Sequence, residues 1–244
     1  MKTDPASSGR KGRKGRITSH APYLSCAMNE LETERLSMVE HDLLRRGVRS
    51  EAVLDAMRRV PRHRFVPEAL RTQAYSDSPL PIGEQQTISQ PFIVALMVQA
   101  AQLSRYDRVL EIGTGSGYGA AVLATIAAHV DTIERLASLA NHARDTLAEL
   151  GYLNVDVHVA DGTLGLPERA PFDAIITTAA SPDIPDGFKA QLGVGGRLII
   201  PVGPQREHQT LIRITRRTES RFETQDLCSV QFVPLIGAYG WQTD

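Results

Sequence analysis

The strongest constraint on this chain is an alternation that begins at Arg108, where short apolar runs of strand length take turns with helical stretches. Residues 108–112 read as a buried strand, 113–119 as a glycine-rich turn and 119–128 as a helix. Strands follow over 130–134, 155–159, 173–178 and 196–202. Helices are expected over 136–150, closed by Gly151, and near 186–192. Parallel neighbours need such crossover helices, so the pattern predicts a mostly parallel sheet with helices on both faces. The last β-rich runs, 210–216 and 223–232, have no helix between them and predict an antiparallel hairpin finish.

In an open sheet of this kind the ligand crevice lies at the carboxyl ends of the strands, where strand order reverses. The run Glu111-Ile112-Gly113-Thr114-Gly115-Ser116-Gly117 directly follows the first strand and should floor that crevice. Its glycines allow backbone N–H groups to approach a ligand closely. Glu134 closes the next strand about twenty positions on, the spacing at which a carboxylate takes both ribose hydroxyls. Asp161-Gly162 follows the third strand and offers a carboxylate to an adenine amino group, or else a plain turn. A nucleoside ligand follows. Gly115, Gly117 and Ala120 satisfy G-x-G-x-x-A, which leaves a nicotinamide dinucleotide open. Counted from Gly113, however, the last position is Tyr118, which favours S-adenosylmethionine, a ligand that needs no pyrophosphate cradle.

Ahead of this core, helices are expected from Asn29 towards Gly47 and from Ser50 to Val60, ended by Pro61, with a short one over 67–75. Residues 76–88, with Pro79, Pro81 and Gly83, read as irregular loop, and Pro91 suits the first turn of another helix. Three segments result: a disordered basic extension over 1–28, a helical subdomain with a substrate loop over 29–104, and the nucleoside-binding core over 105–244. Residues 1–16 carry six basic side chains against Asp4 and almost nothing apolar. The whole chain is nearly neutral, at −1, which argues against nucleic acid as a partner beyond weak attraction through that tail. No apolar run is long enough for a membrane span, and Cys26 and Cys228 form neither a C-x-x-C nor a Cys/His motif. A cytoplasmic protein without metal is expected. The histidines, among them His63, His129 and His158, look dispersed. Arg45, Arg46, Arg58 and Arg59 read as solvated helix faces.

Around Ser89 the sequence resembles the protein-L-isoaspartate (D-aspartate) O-methyltransferases over about residues 38–235. The resemblance is carried by Pro81-Ile82-Gly83, Gln86-Thr87-Ile88-Ser89-Gln90-Pro91, the glycine loop, Ile133-Glu134-Arg135, Asp161-Gly162, Thr178-Ala179-Ala180 and Phe232-Val233-Pro234-Leu235. One departure is Gln85, where the family usually has Gly or Asn. The resemblance implies a Rossmann-like S-adenosylmethionine-dependent methyltransferase fold. It also implies methyl transfer to the α-carboxylate of L-isoaspartyl, and by extension D-aspartyl, residues of damaged proteins, with repair through a succinimide. It makes Ser89 the positioner of the substrate carboxylate. Glu111, Gly113, Thr114, Gly115, Ser116, Gly117, Glu134, Asp161 and Gly162 would hold the cofactor. Gln86, Thr87, Ile88, Thr178, Ala179, Ala180 and Val233 would meet the substrate, the last by edge pairing with an extended peptide. A monomer is expected. The competing readings are a carboxyl methyltransferase for one dedicated peptide or small acid, and a nucleoside-binding module without catalysis, with a dehydrogenase more distant.

Overall fold

A computed structural model describes residues 30–205 and 208–242. The basic extension, the Asn29 cap and Cys26 lie outside the described residues. Helix α1 (Glu30–Met38) runs into a π-helical turn (Val39–Leu44) that ends near Gly47. Helix α2 (Glu51–Arg59) follows Ser50, whose backbone is extended as an N-cap requires, although its hydroxyl makes no cap bond. It buries Val53, Leu54, Ala56 and Met57, one face of a 3.6-residue period, and stops before Pro61. The expected short helix over 67–75 is a 3-10 turn, Glu68–Gln73.

Residues 76–88 are more ordered than the sequence suggests. Strands β1 (Leu80–Gly83) and β2 (Gln86–Ile88) form an antiparallel hairpin that buries Leu80 opposite Ile88. Its prolines are tolerated because an edge strand does not need every N–H. The two-residue turn is Glu84-Gln85, both at positive φ (51° and 56°), as a primed hairpin turn demands. Gln85 therefore takes the left-handed backbone that Gly or Asn adopts more readily, so the departure from the family pattern costs energy without changing the shape. Ile82 reaches over Gly115, and Ser138 donates to Glu84, which seats the hairpin above the glycine loop. Helix α3 (Pro91–Ala101) then starts with Pro at its first turn.

The seven-stranded sheet has the order β5-β4-β3-β6-β7-β8-β9, with β3 (Arg108–Ile112), β4 (His129–Glu134), β5 (Val155–Val159), β6 (Phe172–Thr177), β7 (Leu192–Gln205), β8 (His208–Arg216) and β9 (Phe222–Val230). β3 to β7 are parallel, and β8 and β9 add the expected antiparallel finish. Helices α4 (Tyr118–Ile126), α5 (Ala137–Glu149) and α6 (Asp186–Gln191) make the crossovers. Alternate strand residues face opposite cores: Val109, Ala174, Ile176 and Ile199 on one side, Leu110, Ile175, Leu198 and Ile200 on the other. The first core also holds Leu54, Met57, Phe65 and Met97, so the helical segment and the sheet share one apolar interior. β9 ends at Val230 rather than 232, because the Phe232 N–H leaves the ladder for the Gln209 side chain. Among the described residues no helix is long and apolar enough to cross a membrane.

Replacing Gln85 with Gly should relieve the turn and stabilise the protein by about 1 kcal/mol, raising Tm by about 2–4 °C. Thermal unfolding of the variant checks this, and an unchanged or lower Tm contradicts the account of the turn.

Candidate active site

β3 and β6 are neighbours, yet the chain leaves β3 towards β4 and leaves β6 towards β7. Their carboxyl ends therefore part, and a cleft opens where Ile112 pairs Thr177. The chain exits β3 through Gly113 at φ +96°, a conformation that L side chains avoid. A Cβ at Gly113 would also overlap the Thr178 hydroxyl, which clamps the turn by donating to the carbonyls of Gly113 (2.6 Å) and Ile112 (3.1 Å). On the other side, the N–H groups of Gly113 and Thr114 donate to the Ile133 carbonyl at 2.8 and 3.1 Å. Gly115 N–H donates to Glu134 Oε2 at 2.9 Å, and Leu136 N–H to Glu134 Oε1 at 3.1 Å. Glu134 is thereby held at the cleft wall with lone pairs to spare on both oxygens.

Beneath the loop lies Glu111, 1% exposed. Its Oε2 accepts from the Thr132 hydroxyl at 2.7 Å, and Thr132 in turn meets Thr114 Oγ1 at 2.7 Å. Gly119 leaves just enough room for Oε1, where any Cβ would overlap it. Burial pushes the Glu111 carboxyl up to about 8, with the charge of Glu134 adding to the effect and the Thr132 bond opposing it. A neutral acid thus lines the cleft, and a cation bound beside it would favour its ionised form, the proton leaving to water.

The cleft encloses about 810 Å³, its open mouth included, which suits a drug-sized ligand. It is lined by Gln86, Thr87, Ile88, Ser89, Glu111, Gly113, Thr114, Gly115, Ser116, Glu134, Gly162, Thr178, Ala179 and Val233. A second, broader cavity shares Thr87, Ser89, Thr178, Val233 and Pro234 with it and continues to Arg46, Phe92, Cys228 and Phe232. The two meet at Ser89. Gln90, not Ser89, stands at the N-cap of α3 and makes no side-chain cap bond, so Ser89 is not the capping hydroxyl.

Four expected residues sit differently. Gly117 is buried behind the loop as the left-handed N-cap of α4 and does not line the cleft. Asp161 does not line it either. Its carboxylate accepts from Thr163 N–H and hydroxyl (2.9 and 2.6 Å) and from Ala238 N–H (2.8 Å). Burial tends to raise its pKa, but these bonds outweigh burial and hold it below the ordinary value. Asp161 therefore ties the C-terminal segment to the cleft's rim. Ala180 is fully buried and forms a parallel bridge with Pro234, its N–H donating to Val233 O (2.8 Å) and its carbonyl accepting from Leu235 N–H (2.7 Å). Pairing of Val233 with a peptide is limited accordingly, since that edge is partly occupied.

The protein-L-isoaspartate(D-aspartate) O-methyltransferase family model matches residues 34–240. The chain belongs to this family. A relative from Rhodopseudomonas palustris named protein-L-isoaspartate O-methyltransferase is 56% identical over 205 residues, covering 84% of this chain and 94% of the relative. One of the same name from Methanoculleus marisnigri is 56% identical over 209 residues, covering 86% and 94%. A Plasmodium falciparum structure described as a putative protein-L-isoaspartate O-methyltransferase in complex with S-adenosyl-L-homocysteine superposes with a TM-score of 0.71 at 26% identity, covering 83% of this chain and 98% of that one.

Two site-shaping residues escape a sequence reading. Asp77 caps α3 by accepting from Phe92 N–H at 2.9 Å, and its other oxygen holds Gln90 (3.3 Å) and Arg46. It fixes the stretch that follows Ser89. Arg46 is not a merely solvated arginine, because it pairs with Asp77 and lies 3.6 Å over the Phe92 ring at the second cavity. Asp77 and Phe92 are 15 residues apart in sequence and meet only in the fold.

A folded-state pKa raised above the ordinary value contributes stability at low pH that is lost as pH rises through it. The ligand-free protein should therefore lose about 1.4 kcal/mol per pH unit relative to Glu111→Gln between about pH 5 and 8. Urea unfolding of both proteins across that range measures it, and a constant difference contradicts the buried acid.

Proposed function

We propose that this protein transfers the methyl group of S-adenosylmethionine to the α-carboxylate of L-isoaspartyl residues in damaged proteins, with Ser89 positioning that carboxylate. The supporting observation is the pair of cavities that share Ser89 and Thr178, one beside the glycine loop and one open to a peptide. A nucleoside fits the first through Glu134, whose oxygens keep acceptor capacity, and a cationic centre fits beside Glu111. Bound S-adenosylmethionine supplies an electrophilic methyl carbon.

A carboxylate is ionised near neutral pH, so no residue need remove a proton. Ser89 donates to one oxygen of the substrate and leaves the other on the line of attack. Thr178 cannot compete for this task, since its hydroxyl already donates to Gly113 and Ile112. Together with Ala179 it leaves a small-walled passage between the cavities. Orientation at near-attack distance is the main source of rate, worth roughly 7–11 kcal/mol in favourable cases. The backbone nitrogen of the substrate's next residue then attacks the methyl ester, losing its proton as methanol leaves, and the succinimide closes without further help. On this reading the enzyme acts as a monomer on cytoplasmic proteins, D-aspartyl sites included.

Labelled S-adenosylmethionine should label an L-isoaspartyl peptide and not its ordinary aspartyl counterpart. Ser89→Ala should lower kcat/KM about ten- to a hundredfold while S-adenosylhomocysteine affinity stays within about twofold. Equal labelling of both peptides, or of neither, contradicts the substrate assignment, and full activity in Ser89→Ala contradicts the positioning role.

A further inference from the structure

At the opposite end of the sheet from the cleft, β4 begins His129-Val130-Asp131 and β5 carries Asp156-Val157-His158. The parallel register sets Asp131 against Asp156. Side chains two apart share a face, so both pairs project to one side. His129 Nε2 lies 3.7 Å from Asp131 Oδ2 and 3.5 Å from Asp156 Oδ2, and the ligand atoms all fall within 4.8 Å of one another.

These separations are too long for hydrogen bonds. The 3.7 and 3.5 Å separations are close to the edge of a tetrahedron whose centre is about 2.0–2.1 Å from nitrogen and oxygen ligands, an edge of roughly 3.4 Å. Asp131 is 0% exposed, and its Oδ2 has no hydrogen-bond partner, nor has His129 Nε2. A buried carboxylate oxygen left so is costly unless a donor or a cation meets it. The other oxygen, Oδ1, sits 2.9 Å from His158 Nε2, the outer support that orients a metal-binding carboxylate.

We propose that His129, Asp131 and Asp156 bind a divalent transition-metal cation of the zinc type, water completing the coordination. One imidazole and two carboxylates suit that class. Arg169, half-exposed, lies 3.7 Å from Asp156 Oδ2 and competes for it, held from its backbone by Arg108. The ion would join the edge strand β5 to β4 three to five residue steps, roughly 10–16 Å, from Glu134. The proposal does not depend on the methyl-transfer reading.

The test is calorimetric titration of zinc chloride into untagged full-length protein stripped with a chelator, with cobalt(II) absorption as a second readout. Expected are about one equivalent of saturable binding and an intense tetrahedral cobalt spectrum. Asp156→Asn and His129→Gln should each weaken binding about tenfold or more. Arg169→Ala should bind at least as tightly as wild type. Circular dichroism verifies that the variants fold, and methyl transfer without metal should stay within about twofold. Absence of saturable binding, or equal affinity in both ligand variants, overturns the site. So does loss of binding in Arg169→Ala.

Discussion

The turn out of β3 is the constraint on which the site depends. At Gly113 the backbone takes a conformation closed to side chains, and Thr178 from the end of β6 locks it from the other side of the opening. Two strands that separate at their carboxyl ends are thus rejoined through the hydroxyl of Thr178 and its N–H, which donates to the Ile112 carbonyl at 2.9 Å. Loosening that clamp would leave the turn held from the β4 side alone, through the Ile133 carbonyl and the Gly115 N–H that holds Glu134. The cleft's shape follows from this, since its floor, its acidic wall and the passage towards Ser89 all hang on the same short turn.

Charge placement adds direction. Glu111 lies beneath the loop as a neutral acid because burial disfavours its ion, while Glu134 at the rim is held by two backbone donors. On the proposed function, one carboxyl would answer a cationic ligand and the other a pair of hydroxyls. Beyond Ser89, Asp77 and Arg46 shape the second cavity from outside the sheet, so the helical segment before residue 105 is a wall of the site as well as part of the shared core.

Much of this was legible in the sequence, because the central elements are set by local pattern. Strands 108–112 and 155–159 have the bounds their apolar runs suggest, and the Gly and Pro punctuation marks the helix ends. Terms that depend on partners far along the chain were not legible. Prolines disguised the β1–β2 hairpin, whose buried Leu80–Ile88 pair exists only in three dimensions. Asp161 carries the expected spacing, but Ala238, far along the chain, engages it. His129 and Asp156 are dispersed in sequence and adjacent only through strand register.

The central claim is that two cavities meet at Ser89 and Thr178 so that a methyl donor and a carboxylate face each other there. A crystal structure with S-adenosylhomocysteine and an L-isoaspartyl peptide tests it most directly. The account predicts the nucleoside against Glu134, the sulfur directed towards the shared opening, and the peptide carboxylate within hydrogen-bond distance of Ser89 Oγ. A sulfur facing away from that opening, or a peptide carboxylate held elsewhere, would contradict it.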